Sequence, residues 1–108
     1  MFLTSAFVPS FRTRQKAVEL GVDAVEILPP DPHRVTIVFS TDSNSNFCLD
    51  IDQMVESGRV CIHLWGPGDR VVDWSTYGVL TTLRWHGRAT RSGSILNLTE
   101  ILFEPSGA

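Results

Sequence analysis

Ser10-Phe11-Arg12-Thr13-Arg14-Gln15-Lys16-Ala17-Val18-Glu19-Leu20-Gly21 is the stretch on which the fold class turns. Ser10 suits a helix N-cap, because its hydroxyl can accept a bond from an unpaired amide of the first turn. Gln15, Lys16, Ala17 and Glu19 are good helix formers. Gly21 stands where a glycine closes a helix. Phe11, Gln15 and Val18 share a face at i, i+4 and i+7. The stretch therefore predicts one N-terminal helix over Phe11 to Leu20.

Everything downstream of Gly21 reads as strand and turn. Ala24 to Leu28 makes a short strand before the proline loop Pro29-Pro30-Asp31-Pro32. Val35 to Thr41 is β-branched and aromatic, which suits a pleated surface. In Phe47 to Asp52, Phe47, Leu49 and Ile51 alternate with Cys48, Asp50 and Asp52. In Val60 to Trp65, Val60, Ile62 and Leu64 alternate with Cys61, His63 and Trp65. A period of two marks a strand with one face buried. Gln53 to Gly58 connects these two as a helical turn. Gly66-Pro67-Gly68-Asp69 is a turn leading into Arg70 to Trp74. Tyr77 to Thr90 reads better as strand than as helix, since Val79, Thr81, Leu83 and Trp85 would line one face and the adjacent threonines and Gly78 disfavour helix. Ser94 to Glu104 is apolar on both faces, with Ile95, Ile101 and Phe103 against Leu96, Leu98 and Leu102. That pattern suits a central strand covered on both sides.

The fold class expected is thus α+β, a mainly antiparallel sheet of five or six strands with one N-terminal helix on one face. A chain of 108 residues with 43% hydrophobic and 19% charged residues forms a single domain, 1–108, without internal repeats. The net charge of −3 excludes a general electrostatic attraction to nucleic acid or anionic membranes. Between Asp23 and Glu56 seven acidic residues face only Arg34, which reads as a solvated edge rather than a docking site for a basic partner. No run approaches the roughly 20 apolar residues of a membrane helix, and Met1 to Val8 lack the charged start of a secretory signal. Cys48 and Cys61 are too few for a disulfide scaffold and match no zinc spacing. They are expected as reduced thiols in a cytoplasmic protein.

Two groups of residues can carry chemistry. If the two middle strands pair with the right parity, Cys48, Asp50, Asp52, Cys61, His63 and Trp65 share one face. That set can bind a divalent metal or serve acid–base work, but a slip of one residue separates it. Arg84, His86 and Arg88 share a face of the later strand, followed by Arg91 in the turn. Their forks suit a phosphate or carboxylate, or pairing with Glu100 or Glu104. Trp85 falls on the opposite face. There is no Gly-X-Ser-X-Gly elbow, His-Glu-X-X-His, Cys-X-X-Cys, phosphate loop or dinucleotide fingerprint.

One short helix cannot cover both faces of such a sheet, and three Trp, six Phe and one Tyr need burial. Leftover apolar surface points to a partner. The reading is a non-enzymatic binding protein that forms a homodimer and takes a protein or small-molecule partner. It needs no cofactor. The ligand-binding candidates are Asp50, Asp52, His63, Trp65, Arg84, His86 and Arg88. The alternative is a small enzyme or metal-binding domain built on His63, Asp50 and Asp52. A nucleic-acid module using Arg84, Arg88 and Arg91 is the weakest of the three.

Overall fold

The computed structural model describes residues 10–51 and 61–104. They form eight strands: β1 (Ser10–Leu20), β2 (Val25–Leu28), β3 (Arg34–Thr41), β4 (Asn46–Asp50), β5 (Ile62–Trp65), β6 (Gly68–Asp73), β7 (Trp85–Ala89) and β8 (Ser94–Glu104). One helical turn, α1 (Trp74–Tyr77), continues into a 3-10 segment over Gly78–Thr82. The strands lie in two antiparallel four-stranded sheets, ordered β1-β8-β3-β6 and β2-β7-β4-β5. The protein is therefore mostly β, and the α+β expectation is corrected. The helix is in the C-terminal half and not at the N-terminus.

The correction rests on Ser10–Leu20, which pairs with β8 along its whole length, from Ser10 opposite Glu104 to Leu20 opposite Ser94. The helix preference of Gln, Lys, Ala and Glu over strand formers is a few tenths of a kcal/mol per residue. An isolated ten-residue helix is marginal in water. Against that, β8 presents a row of backbone groups that need partners, and β1 supplies eleven residues of ladder. β1 is an edge strand exposed on both faces over most of its length. No alternating burial shaped its composition, so no period of two shows.

Tyr77 to Thr90 also differs from the strand expected there. Only Trp85–Ala89 is extended, and the first half is helical. Asp73 caps α1 by accepting from the Thr76 amide at 3.0 Å and the Ser75 hydroxyl at 2.8 Å. These bonds hold its carboxyl below the usual range. Gly78, at φ +58°, ends the turn in a conformation other residues rarely adopt. The expected connection at Gln53 to Gly58 and the reading of Met1 to Val8 lie outside the described residues.

The core lies between the two sheets. Ile37, Phe39, Leu96, Leu98 and Val72 from the first meet Ile27, Phe47, Leu49, Leu64 and Trp85 from the second. Strand β7 alternates large and small inward residues, Trp85, Gly87 and Ala89. The Trp85 ring packs 5.6 Å from that of Phe39. A Cβ on Gly87 would press against Leu49, Ile27 and Leu20 at 3.1 to 3.4 Å, so the sheets approach closely there. β8 is interior to its sheet, but only its Leu96, Leu98 and Leu102 face is covered, which corrects the expectation of a strand covered on both sides. Ile95 remains 41% exposed.

A buried charge ties the helical segment to both sheets. Arg34 is fully buried, and its Nε donates to Glu100 Oε1 at 2.8 Å. Its other nitrogens donate to the carbonyls of Thr81 (3.1 Å), Leu83 (3.0 Å) and Pro29 (2.5 Å). Glu100 also accepts two bonds from Arg14, each 2.9 Å. Burial works against the Glu100 carboxylate, yet the two guanidinium groups outweigh it and hold the pKa low. Asp31 is likewise held low: its burial is overcome by the His33 amide and by Arg14. The arginine that opposes the acidic stretch in sequence is thus an internal anchor, bonded to the carbonyls of the segment that precedes β7.

Candidate functional site

The outer face of the second sheet collects most of the residues singled out by sequence. In the β4–β5 pairing Asn46 lies opposite Trp65 and Cys48 opposite His63. This is the parity that puts Cys48, Asp50, His63 and Trp65 on one face. On the other side of β4, Cys48 lies opposite Arg88 and Asp50 opposite His86. Strand β2 then places Glu26 opposite His86. Two rows cross the face: His63, Cys48, Arg88, and beside it Asp50, His86, Glu26. The two sequence groups, read separately, form one surface. Asp52 lies outside the described residues.

The first row borders a cleft of about 160 Å3 lined by Asn46, Phe47, Cys48, His63, Trp65, Arg88, Ala89 and Thr90. Trp65 is 64% exposed, and its indole stacks on the His63 ring at 5.5 Å and an interplanar angle of 13°. Cys61 and Cys48 are joined in a disulfide with Cα atoms 5.8 Å apart, which corrects the expectation of two free thiols. The strand pairing explains it: β4 and β5 run side by side, and the parity that brings His63 beside Cys48 also brings Cys61 within reach. Cys61 Sγ lies 3.8 Å from His63 Nε2.

The second row does not form the cationic cluster that Arg84, His86 and Arg88 suggest in sequence. Arg84 Nε contacts Glu26 Oε1 at 3.1 Å, with both side chains about half exposed. His86 stands between two carboxylate positions, Asp50 and Glu26, and its Nδ1 is buried without a hydrogen-bond partner among the described residues. The expected acceptors serve elsewhere: Glu100 takes Arg14 and Arg34, and Glu104 takes Arg12 at 2.9 Å. Trp85 is in the core, on the opposite face, as alternation requires.

Sequence reading missed Asn46, Thr90 and Glu26. The first two continue the same alternation by one step beyond Cys48 and Arg88, and the Thr90 hydroxyl accepts from the Asn46 amide at 3.2 Å. Glu26 carries no local signal, because only the β2–β7 pairing brings it beside His86. Among the described residues no helix is long and apolar enough to cross a membrane. No family model, no curated protein and no solved structure matches this chain.

Proposed function

We propose that this chain is a non-enzymatic binding module that works as a homodimer and takes a small planar ligand in the cleft beside Trp65. The observation that carries the reading is the Trp65 indole, mostly exposed and stacked on His63 at the mouth of that cleft. An aromatic held open at a concave site offers a stacking face at low entropic cost. Arg88, Asn46 and Thr90 supply polar groups around it. The cleft volume suits one ring system and its substituents rather than a long chain.

Self-association is supported by the outer face of the first sheet. Phe11 on β1, Ile95 on β8 and Val71 on β6 are 54%, 41% and 50% exposed. A twofold copy covers such a face with an identical one. The cytoplasmic setting expected from free thiols loses that support, because a Cys48–Cys61 disulfide suits an oxidising compartment.

Amide chemical shifts followed during addition of adenosine monophosphate and of indole-3-acetate test the ligand reading. Shifts should concentrate at Asn46, Trp65 and Thr90 and vanish in Trp65→Ala. Scattered shifts, or none at millimolar probe, would overturn it. Sedimentation equilibrium should return twice the chain mass of 12.0 kDa, falling to one chain in Val71→Asp. A monomer at micromolar concentration removes the dimer. An enzyme is the second reading, and its acid–base pair would be His86 with Asp50, which face each other across β7 and β4, rather than His63 with Asp50.

A further inference from the structure

We propose that the reduced protein holds one divalent ion of the zinc class through Cys48 Sγ, Cys61 Sγ and His63 Nε2, so that the disulfide is the closed state of a redox-dependent metal site. The three ligand atoms lie within 4.8 Å of one another. Tetrahedral zinc, with bonds of about 2.3 Å to sulfur and about 2.05 Å to nitrogen, separates those ligands by about 3.6 Å. The Cys61 Sγ to His63 Nε2 distance is 3.8 Å. The donor set is also chemically apt: two thiolates and one imidazole are the ligands zinc and cobalt prefer. Cys48 and His63 sit directly opposite on adjacent strands, so the backbone ladder fixes two of the three donors. The Trp65 ring, stacked on His63, restricts the imidazole plane. Cys61, the residue immediately before β5, is only partly buried.

A dithiol reductant gives two electrons and two protons to the Cys48–Cys61 bond, which breaks into two thiols while the reductant becomes its own disulfide. A divalent ion then displaces one proton from each thiol and accepts a lone pair from neutral His63. The resulting centre is uncharged, with two negative sulfurs against one doubly positive ion. Three protein ligands leave a fourth tetrahedral position. Cys48 and His63 both line the cleft, so that position opens toward it. An exogenous donor, water or a ligand atom, completes the shell. The inference stands on the geometry of these three residues and is independent of whether the cleft binds a planar molecule.

The test is a cobalt(II) titration of the full chain after reduction with a phosphine, compared with the oxidised chain. The reduced chain should bind one equivalent and develop thiolate-to-cobalt charge-transfer absorption together with the visible bands of tetrahedral cobalt. The oxidised chain should show neither. His63→Ala alters an exposed side chain and should keep the fold while weakening binding by more than the roughly tenfold that loss of even an outer-shell partner costs. Cys61→Ser leaves Cys48 as the one thiolate ligand and should reduce the charge-transfer band to the intensity of a single thiolate. Near-ultraviolet dichroism from buried Trp85 monitors the fold throughout. A reduced, folded chain without charge-transfer absorption overturns the proposal. So does unchanged affinity in His63→Ala, or a reduced chain that unfolds and is not restored by cobalt.

Discussion

Removing the Glu100 carboxylate should destabilise this protein more than almost any other single polar change. Glu100 is 2% exposed and accepts three charged hydrogen bonds, one from Arg34 at 2.8 Å and two from Arg14 at 2.9 Å. Arg34 is itself fully buried and held by three backbone carbonyls. Glu100→Ala leaves that guanidinium in the interior without a counter-charge. Loss of one partner of a buried pair costs about 3–5 kcal/mol, against a total stability of about 5–15 kcal/mol for a domain of this kind. With a urea slope of about 1–3 kcal/mol/M, the unfolding midpoint should fall by about 2 M. Arg14→Ala is the control. Arg14 is 42% exposed, so solvent takes over much of its role and the loss should be about 1 kcal/mol or less. The paired change Arg34→Met with Glu100→Leu should recover most of the stability lost in Glu100→Ala, because it removes both buried charges and fills their volume. A Glu100→Ala loss below about 1 kcal/mol, or one no larger than that of Arg14→Ala, would refute the account of Arg34 as an anchor that depends on its counter-charge.

Acid should reveal the same network. The pKa values of Glu100 and Asp31 are lower in the folded chain than in the unfolded one, so the unfolded state binds protons first. Their contribution is complete above the ordinary carboxylate range and is lost as pH falls through the folded values. Urea midpoints should drop across that window, and Glu100→Gln should flatten the drop; an equal slope in the variant would count against it. Gly66→Ala should destabilise by about 1–3 kcal/mol, the usual range for overpacking, since a Cβ there would overlap the backbone carbonyls of Ser43 and Ser45. A neutral thermal shift would show that this turn can relax. Trp85 on β7 and Trp65 on β5, both in the second sheet, should separate cleanly. Trp85→Ala, in the core at 2% exposure, should cost about 3–5 kcal/mol. Trp65→Ala, at 64% exposure, should stay within about 0.5 kcal/mol of the parent in the same denaturation assay. Equal costs would mean that Trp65 packs as core.

The strands that bury one face were legible in the sequence, because burial imprints a period of two on side-chain polarity. Phe47, Leu49 and Leu64 point inward, while Cys48, His63 and Trp65 point out. The β8 stretch declared itself by apolar residues on both faces. The same alternation reached the right face for most of the candidate site. It was silent for β1, whose edge position leaves both faces in water, so local helix preference in Gln15 to Glu19 had nothing to oppose it. Only pairing with β8, some 74 to 94 positions later in the chain by the register of Leu20 with Ser94 and Ser10 with Glu104, decides that segment. Register and sheet order are likewise non-local. They brought Arg88 beside Cys48, set His86 between Asp50 and Glu26, joined Cys48 to Cys61, and turned Arg34 from a lone cation in an acidic stretch into a buried anchor. Each of these depends on which backbone lies next to which, a choice made by burying one shared core and carried by no single segment of the chain.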